Sequence, residues 1–513
     1  MREFLPRHLI NRLFLRLGPA RRCPAKIGSA ELIHGLVFHV LAGAGTLAQH
    51  MKQLTGKTIT DGALSQRRTQ LPWEVFQKLL EAALKPKADR RQHPVAFYHG
   101  LRLCGLDGSR FSVANTPQIK AQMSKANSRR FKAAFAKVGM AVLVELGIHN
   151  PMAAAIGPRE ESEMVLAEQL LGHLPDQSLL VGDRYYGVPK LLINFRKAHP
   201  RGQKEFLVRV RSNLQSRVLE VLPDGSALVE IRCGKEKLLV REIKGQVQRG
   251  SGKASALRLW TSLLDARLHP ARELLALYGQ RWEQECFYRE LKVDMRSSPL
   301  VQSHTPLTAA QEIAALIMAY AILVEERIKV ATLQEVPVLR ISFLKTLEAV
   351  RGLWRFLEVS EGILTADQVR KVVRRTMRQI AEMAIPKRRQ RSCPRALRQP
   401  ISSWPRLLKN SYQNGAVQCN VSPITPEFLN GIDPKPIPGF LGLPRGKLLC
   451  DPAYRPKDGS TISAPIDGRE VPRKFGTNPF DSLKAVLKLT INILCSTWQQ
   501  ERVGVWSVFP QIS

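Results

Sequence analysis

LLVGDRYYGVPKLLINFRK, Leu179 to Lys197, reads as a short buried strand that stops at Asp183, then a turn, then a helix opened by Pro189. Phe206 to Arg211 alternates as the next strand. Working back, Glu160 to Leu174 is helical, and Val138 to Gly147 and Met152 to Ile156 are strands. Leu101 to Val113 is expected to be two strands joined at Asp107-Gly108. An antiparallel start followed by alternating helices and strands predicts a mixed α/β sheet. Beyond it, Ser212 to Ala256 changes to short β-like runs with Gly-rich turns. Leu257 to Leu263 then resumes a core strand, and Pro270 opens a long helix at its favoured first turn.

Outside this core the pattern is helical. Ala30 to about Leu84 carries apolar residues at three and four spacing, in AELIHGLVFHVLAG and LPWEVFQKLLEAAL, separated by the turn-rich TGKTITDG. Thr60 or Asp61 can cap a short helix bearing Ser65, Gln66, Arg67 and Arg68, the polar and basic face that a DNA-recognition helix needs. A plain solvated face fits those residues equally well. KPKADRRQH, Lys85 to His93, looks like a linker, and Pro306 to Val330 and Pro337 to Arg378 read as helices. Lys371 to Lys409 holds twelve Lys/Arg against the single acid Glu382, a net +11. From Ser411 onward Pro, Gly and polar residues dominate until the apolar Leu483 to Leu494, and no motif stands out.

The chain has 513 residues, room for roughly three domains. Its 78 Lys+Arg against 43 Asp+Glu leave +35, far beyond the magnitude of about 2 to 8 that keeps a small domain soluble. Such a surplus needs a polyanion. With 44% hydrophobic residues the chain is globular rather than disordered, and its longest apolar stretch, Ile313 to Val324, falls short of the roughly 20 residues of a membrane span. The eight cysteines form no close pair, against both a zinc cluster and a secreted disulfide scaffold. Arg2, Arg7, Arg12 and Arg16 interrupt every apolar run of Met1 to Gly18, so no signal-peptide core exists and a cytosolic protein is expected.

The chemistry concentrates in YGQRWEQECFYRELK, Tyr278 to Lys292. On an α-helix Tyr278, Arg281, Glu285 and Lys292 fall within an arc of about 60°, while Glu283 and Glu290 point roughly 120 to 140° away. A solvated stripe is the ordinary explanation of such a run. Asp107 and Asp183, however, each follow an apolar run and precede a turn, where a side chain is held rigidly yet open. Phosphodiester cleavage uses two divalent ions about 3.5 to 4 Å apart, and hard ions such as Mg²⁺ or Mn²⁺ take carboxylate oxygens. Three acids on two strand ends and one helix supply such a site, with Arg281 and Lys292 beside it for phosphates.

These blocks together resemble the bacterial DDE transposases of insertion-sequence family four. That family's signature runs Y, two residues, R, three residues, E, six residues, K, and Tyr278, Arg281, Glu285 and Lys292 keep every spacing. Its D-G-[ST] block matches Asp107, Gly108 and Ser109, and its second aspartate block matches Asp183, Arg184, Tyr185 and Tyr186. The resemblance covers about Ala30 to Lys409. It implies an α/β, ribonuclease-H-like catalytic core with a β-rich insertion, flanked by helical N- and C-terminal regions. Residues 1–95 would bind DNA ends, 96–295 would be catalytic with the insertion at about 213–256, 296–410 would serve DNA binding or dimerisation, and 411–513 has no assigned role.

The resemblance further implies that Asp107, Asp183 and Glu285 are the catalytic acids, holding Mg²⁺ with Mn²⁺ as a substitute. Tyr278, Arg281, Lys292 and Arg184 would contact phosphates, and Arg67 and Arg68 would contribute to DNA binding. The partners implied are double-stranded DNA, at transposon ends and target, and a second copy of the chain; no membrane is involved, and the setting is cytoplasmic and nucleoid-associated. Two departures stand out. Family members carry a tryptophan on the insertion that stacks at a flipped base, whereas Trp260 lies inside the resumed strand and reads as core; and the residues after Lys409 exceed the usual family ending. Two other classes share these features: a structure-selective nuclease of the same core, and a non-catalytic DNA-binding descendant.

Overall fold

Ser178–Gly182 is buried at every position, as a strand covered on both faces must be, and it lies inside the sheet with a parallel neighbour on each side. A computed structural model of the protein describes residues 1, 3–18, 26–125, 133–199, 203–247, 255–296 and 298–385. Five helices come first: α1 (Arg7–Leu17), α2 (Ser29–Ala42), α3 (Leu47–Thr55), α4 (Asp61–Thr69) and α5 (Trp73–Ala83). There follow β1 (Phe97–Tyr98), β2 (Leu101–Val113), α6 (Pro117–Gln122), β3 (Lys137–Glu145), β4 (Asn150–Gly157), α7 (Glu163–Leu171), β5 (Ser178–Gly182), α8 (Pro189–Ala198) and β6 (Lys204–Arg209). Then come β7 (Arg217–Val221), β8 (Ala227–Cys233), β9 (Glu236–Val247) and β10 (Ser255–Thr261). The last group is α9 (Ala271–Leu277), α10 (Trp282–Arg289), β11 (Leu300–Val301), α11 (Pro306–Leu333), α12 (Phe343–Val359) and α13 (Ala366–Glu382).

One sheet runs in the order β4-β3-β2-β5-β6-β10-β9-β8-β7, with β1 and β11 also on β2. β2, β5 and β6 are parallel, and β3 and β4 continue one side as an antiparallel meander. The mixed α/β class expected from the sequence is therefore present. Residue alternation sorts the faces. Leu103, Leu179, Val181 and Leu207 pack toward Leu274 and Tyr278, while Cys104, Leu106, Leu180 and Phe206 pack toward Leu166, Leu170, Leu191 and Phe195. The strands β7, β8 and β9 extend this same sheet past β10, which pairs with β6 through Trp260 opposite Val208.

The structure departs from four expectations. β2 is a single 13-residue strand that runs straight through Asp107-Gly108. Val142 and Ala141 on β3 pair with those two residues, so the ladder overrides a local turn signal. Second, Pro337 to Arg378 is not one helix: Ser342 and Thr365 each cap a new start, accepting from Lys345 N and Gln368 N, and Gly362 turns with φ 77° between them. Third, Arg7–Leu17, to which the sequence pattern assigns no element of its own, is a helix with Ile10 in the core. Fourth, Tyr278 to Lys292 is not uniformly α-helical. Tyr278–Arg281 is a tight 3-10 turn and Glu290–Asp294 a wide π turn, so a constant 100° per residue misplaces its ends.

Helix α11 explains the apolar stretch around Ile313. It has 28 residues and is long and apolar enough to cross a membrane, yet 83% of its apolar window is buried. It packs on α2, α5 and β4, and its Ile313, Ile317 and Tyr320 lie in the largest cluster of the core. The basic residues from 387 to 409 and the tail 411–513 lie outside the described residues.

Candidate active site

The register of two parallel strands builds the centre of the site. Leu106 of β2 pairs with Gly182 of β5, so Asp107 and Asp183 are the next residues of neighbouring strands, whose backbones run about 4.8 Å apart. By alternation both aspartates take the face of Leu103 and Val181, where Tyr278 also packs. β5 ends at Gly182 while β2 continues, which leaves Asp183 at the open end of its strand. Its Oδ1 accepts from Tyr185 N at 2.6 Å. Burial, then the neighbouring Asp183 charge, pushes the Asp107 carboxyl up to about 7, against the Gly108 N–H that donates to Asp107 Oδ1 at 2.9 Å.

Helix α10 reaches this face because residue 105 is glycine. A Cβ on Gly105 would lie 2.3 Å from Gln284 Oε1 and 2.5 Å from Leu146 Cδ2. Gln284 donates to Val142 O at 3.3 Å and the Tyr288 hydroxyl to Asp107 O at 2.6 Å, fastening α10 beside the first aspartate. On the outer side Arg281 Nη2 donates to Glu285 Oε1 at 2.7 Å. Burial opposes the Arg281 charge, but Glu285, Tyr278 and Asp183 outweigh it and hold the pKa above its ordinary value. Tyr278 is buried, which pushes its hydroxyl up to about 12. Lys292 reaches across to β2, donating to Ser109 Oγ at 3.0 Å and Arg110 O at 2.7 Å, with its ammonium 5.0 Å from the Phe111 ring centroid.

Asp107 and Asp183 are thus brought together with Arg281 and Tyr278, while Glu285 turns onto Arg281. Among the described residues no group of three or more His, Cys, Asp or Glu side chains converges closely enough to hold a metal ion. The donor set still fits a hard divalent cation. Two adjacent carboxylates, one with its proton held on by burial and by the charge of the other, gain from a positive ion between them. Glu163 of α7 adds a further negative charge near Asp107 and accepts from the Tyr186 hydroxyl at 3.0 Å.

Arg184 is exposed and shares a cleft with Arg209, Lys244 and Arg258. Arg67 and Arg68, expected on a DNA-facing helix, instead point guanidinium nitrogens inward. Arg67 Nη2 donates to Ile27 O at 3.0 Å, and Arg68 Nη2 to Thr308 O at 2.7 Å and Ser303 Oγ at 2.9 Å, so both tie α4 to its neighbours. Trp260 is fully buried and its Nε1 donates to Glu242 Oε2 at 2.8 Å, the core position its strand predicted. Sequence reasoning missed His149, whose ring lies between Glu283 and Glu290. The two acids pointing away from the stripe were the available signal, since carboxylates on a packed face need a buried partner.

Residues 99–322 match the family model described as a transposase DDE domain. Over 372 residues the chain is 27% identical to the transposase InsG of insertion sequence element IS4 from Escherichia coli strain K12, across 69% of this chain and 80% of InsG. InsZ of the same strain, also named for transposase activity, is 28% identical over 126 residues, covering 24% of this chain and 41% of InsZ. Among solved structures, a piggyBac transposase synaptic complex with hairpin DNA aligns with 78% of this chain and 87% of that chain, at 12% identity and a TM-score of 0.37. These matches support a DDE transposase, a class of enzyme that generally uses divalent metal ions. Within that class the similarity to InsG supports a DNA transposase of insertion-sequence family four.

Proposed function

We propose that Asp107, Asp183 and Glu285 are the catalytic acids of this transposase and that they take Mg²⁺, with Mn²⁺ as a substitute. The observation that carries the reading is the Leu106–Gly182 register, which sets the two aspartates side by side on the face crossed by α10. The bound ions would lower the pKa of the attacking water or 3′-hydroxyl and neutralise the leaving oxygen. Arg281 supports the third acid by holding it ready, and a phosphate that draws the guanidinium releases the Glu285 carboxylate for a cation. Lys292 and Tyr278 border the same face, Arg184 follows Asp183 directly in a neighbouring basic cleft, and the three would place phosphates on either side of the cut.

The order β3-β2-β5-β6, antiparallel at first and parallel afterwards, supports a ribonuclease-H-like core at 96–295 with β7, β8 and β9 as the insertion. The helices of 1–95 and 296–385 would flank it, for end binding and for DNA binding or pairing of two copies on the two transposon ends. A cytoplasmic, nucleoid-associated setting follows from a DNA substrate. The test is incubation of the purified full chain with a labelled element end, with and without Mg²⁺. Asp107→Ala, Asp183→Ala and Glu285→Ala should each abolish strand cleavage while end binding persists; retained cleavage removes that residue from the site.

A further inference from the structure

Five polar groups that take no part in the proposed chemistry meet behind α10. His149 lies at the turn from β3 to β4 with φ 55°, and its side chain is fully buried. Its Nε2 lies 2.9 Å from Glu283 Oε2 and its Nδ1 3.0 Å from Glu290 Oε2. Glu290 also accepts from the Tyr320 hydroxyl at 2.6 Å and from Arg327 Nη1 at 3.2 Å. Ionised carboxylates only accept, so an imidazole with one at each nitrogen donates from both and carries a charge. Two buried cations, His149 and Arg327, then balance two carboxylates that are themselves mostly buried. The electrostatics agree. Burial opposes the His149 charge, but Glu290 and Glu283 hold its pKa above the ordinary value; burial likewise opposes the Glu290 charge, but Arg327 and His149 hold it at about 2.

Glu290 is also the first residue of the π turn, which closes with Met295 N donating to Glu290 O at 3.1 Å. A π turn inside a helix is unfavourable on its own and persists where a neighbouring contact selects it. Here the neighbours come from the β3–β4 turn and from α11, elements separate from α10. The extra residue in the turn sets the azimuth of Lys292, two positions further on, where its ammonium meets Ser109 and Arg110 of the strand that carries Asp107.

We propose that His149, Glu290, Tyr320 and Arg327 act as a positioning clamp that fixes the π turn and thereby places Lys292 against the Asp107 strand. The proposal rests on the reading of Lys292 and Asp107 given above. It assigns functional weight to residues that touch neither DNA nor metal, and it couples the core helix α11 to the phosphate-binding end of the site.

The experiment is a double-mutant cycle on the full chain, reading strand cleavage at a labelled end and thermal unfolding together. Tyr320→Phe removes one hydroxyl and keeps the ring stacked on Phe343 at 4.8 Å. It should slow cleavage about 10- to 100-fold, the usual effect of a displacement of roughly 1 Å at a reacting site. In a Lys292→Ala background the same change should cause no further loss. A purely structural role predicts equal losses in both backgrounds, and that result, or undiminished cleavage by Tyr320→Phe, overturns the clamp. Should Tyr320→Phe not fold, Glu283→Gln in the same cycle gives the same two outcomes. Asp107→Ala, run alongside, reports on the site itself: retained cleavage there sinks the catalytic reading, whereas additive losses with Asp107→Ala inactive sink only the clamp.

Discussion

Arg281 Nη2 donates to Glu285 Oε1 across 2.7 Å, one helical turn apart, on the face that also holds Asp107 and Asp183. Glu285, the proposed third acid, is therefore already paired in the absence of any ion or DNA, and the pair is partly exposed. Exposed i,i+4 pairs contribute only about 0.3 to 0.5 kcal/mol. Arg281→Gln should accordingly raise the affinity of the DNA-free protein for Mn²⁺ by only about twofold, while weakening the complex with a transposon end. A calorimetric Mn²⁺ titration checks this, and an affinity that falls would show that Arg281 does not compete with the ion.

The Asp107 carboxyl, pushed up to about 7 by burial and by Asp183, makes the metal-free fold pH-dependent. Between the unfolded value near 4 and about 7 the folded state holds the proton that the unfolded state has lost. Stability is thus complete below about 4 and declines as pH rises through about 7, by an amount on the order of a few kcal/mol. Asp107→Asn should flatten that decline in chelator and should also remove the rise in Tm expected with Mg²⁺ at pH 8 if Asp107 takes the ion as proposed. Melting curves from pH 4 to 8 decide it; a variant with the parent's slope would place the titrating group elsewhere.

Glu290 has the opposite sign. Its carboxylate is held at about 2 by Arg327 and His149 despite burial, so its contribution is complete above about 4.5 and is lost as pH falls toward 2. Glu290→Gln leaves two buried cations short of a carboxylate and should cost about 3 to 5 kcal/mol near neutral pH. Denaturant unfolding measures it, and a loss under 1 kcal/mol would mean that the four charges are not a closed set.

Helix α13 exposes Lys371, Arg374, Arg375 and Arg378 along one side, within an arc of roughly 100°, while Val369, Val373 and Ile380 are buried on the other. Asp367 and Glu382 bracket that stripe at the two ends of the helix. Each phosphate contact contributes about 0.9 to the slope of log affinity against log salt. Changing the four cations to Gln should lower the slope for end DNA by about 2 to 4 without moving Tm, because the substituted face is not packed. An unchanged slope would take α13 off the DNA path.

The elements around the site were legible because their signals are local. Ser178–Gly182 is an unbroken apolar run, Pro189 opens α8, and the spacing of Tyr278, Arg281, Glu285 and Lys292 needs no neighbour to be noticed. Asp107-Gly108 misled for the same reason. Its turn chemistry is real, but pairing with Val142 and Ala141 outweighs it, and ladder partners 35 and 33 residues away are invisible to a local rule. Arg67 and Arg68 read as a solvent-facing pair until Ile27 and Thr308 supply the carbonyls that hold them.

By itself the sequence determined a basic α/β protein with a strand-borne aspartate pair, a Y-R-E-K helix and a need for a polyanion, because composition, periodicity and spacing are properties of the chain alone. Only the tertiary structure decided that Leu106 pairs with Gly182, that Glu285 rests on Arg281, and that His149 meets Glu290 where the helix widens ahead of Lys292. Register, ion pairing and buried charge each depend on which distant groups share a low-dielectric space, and folding alone brings those groups together.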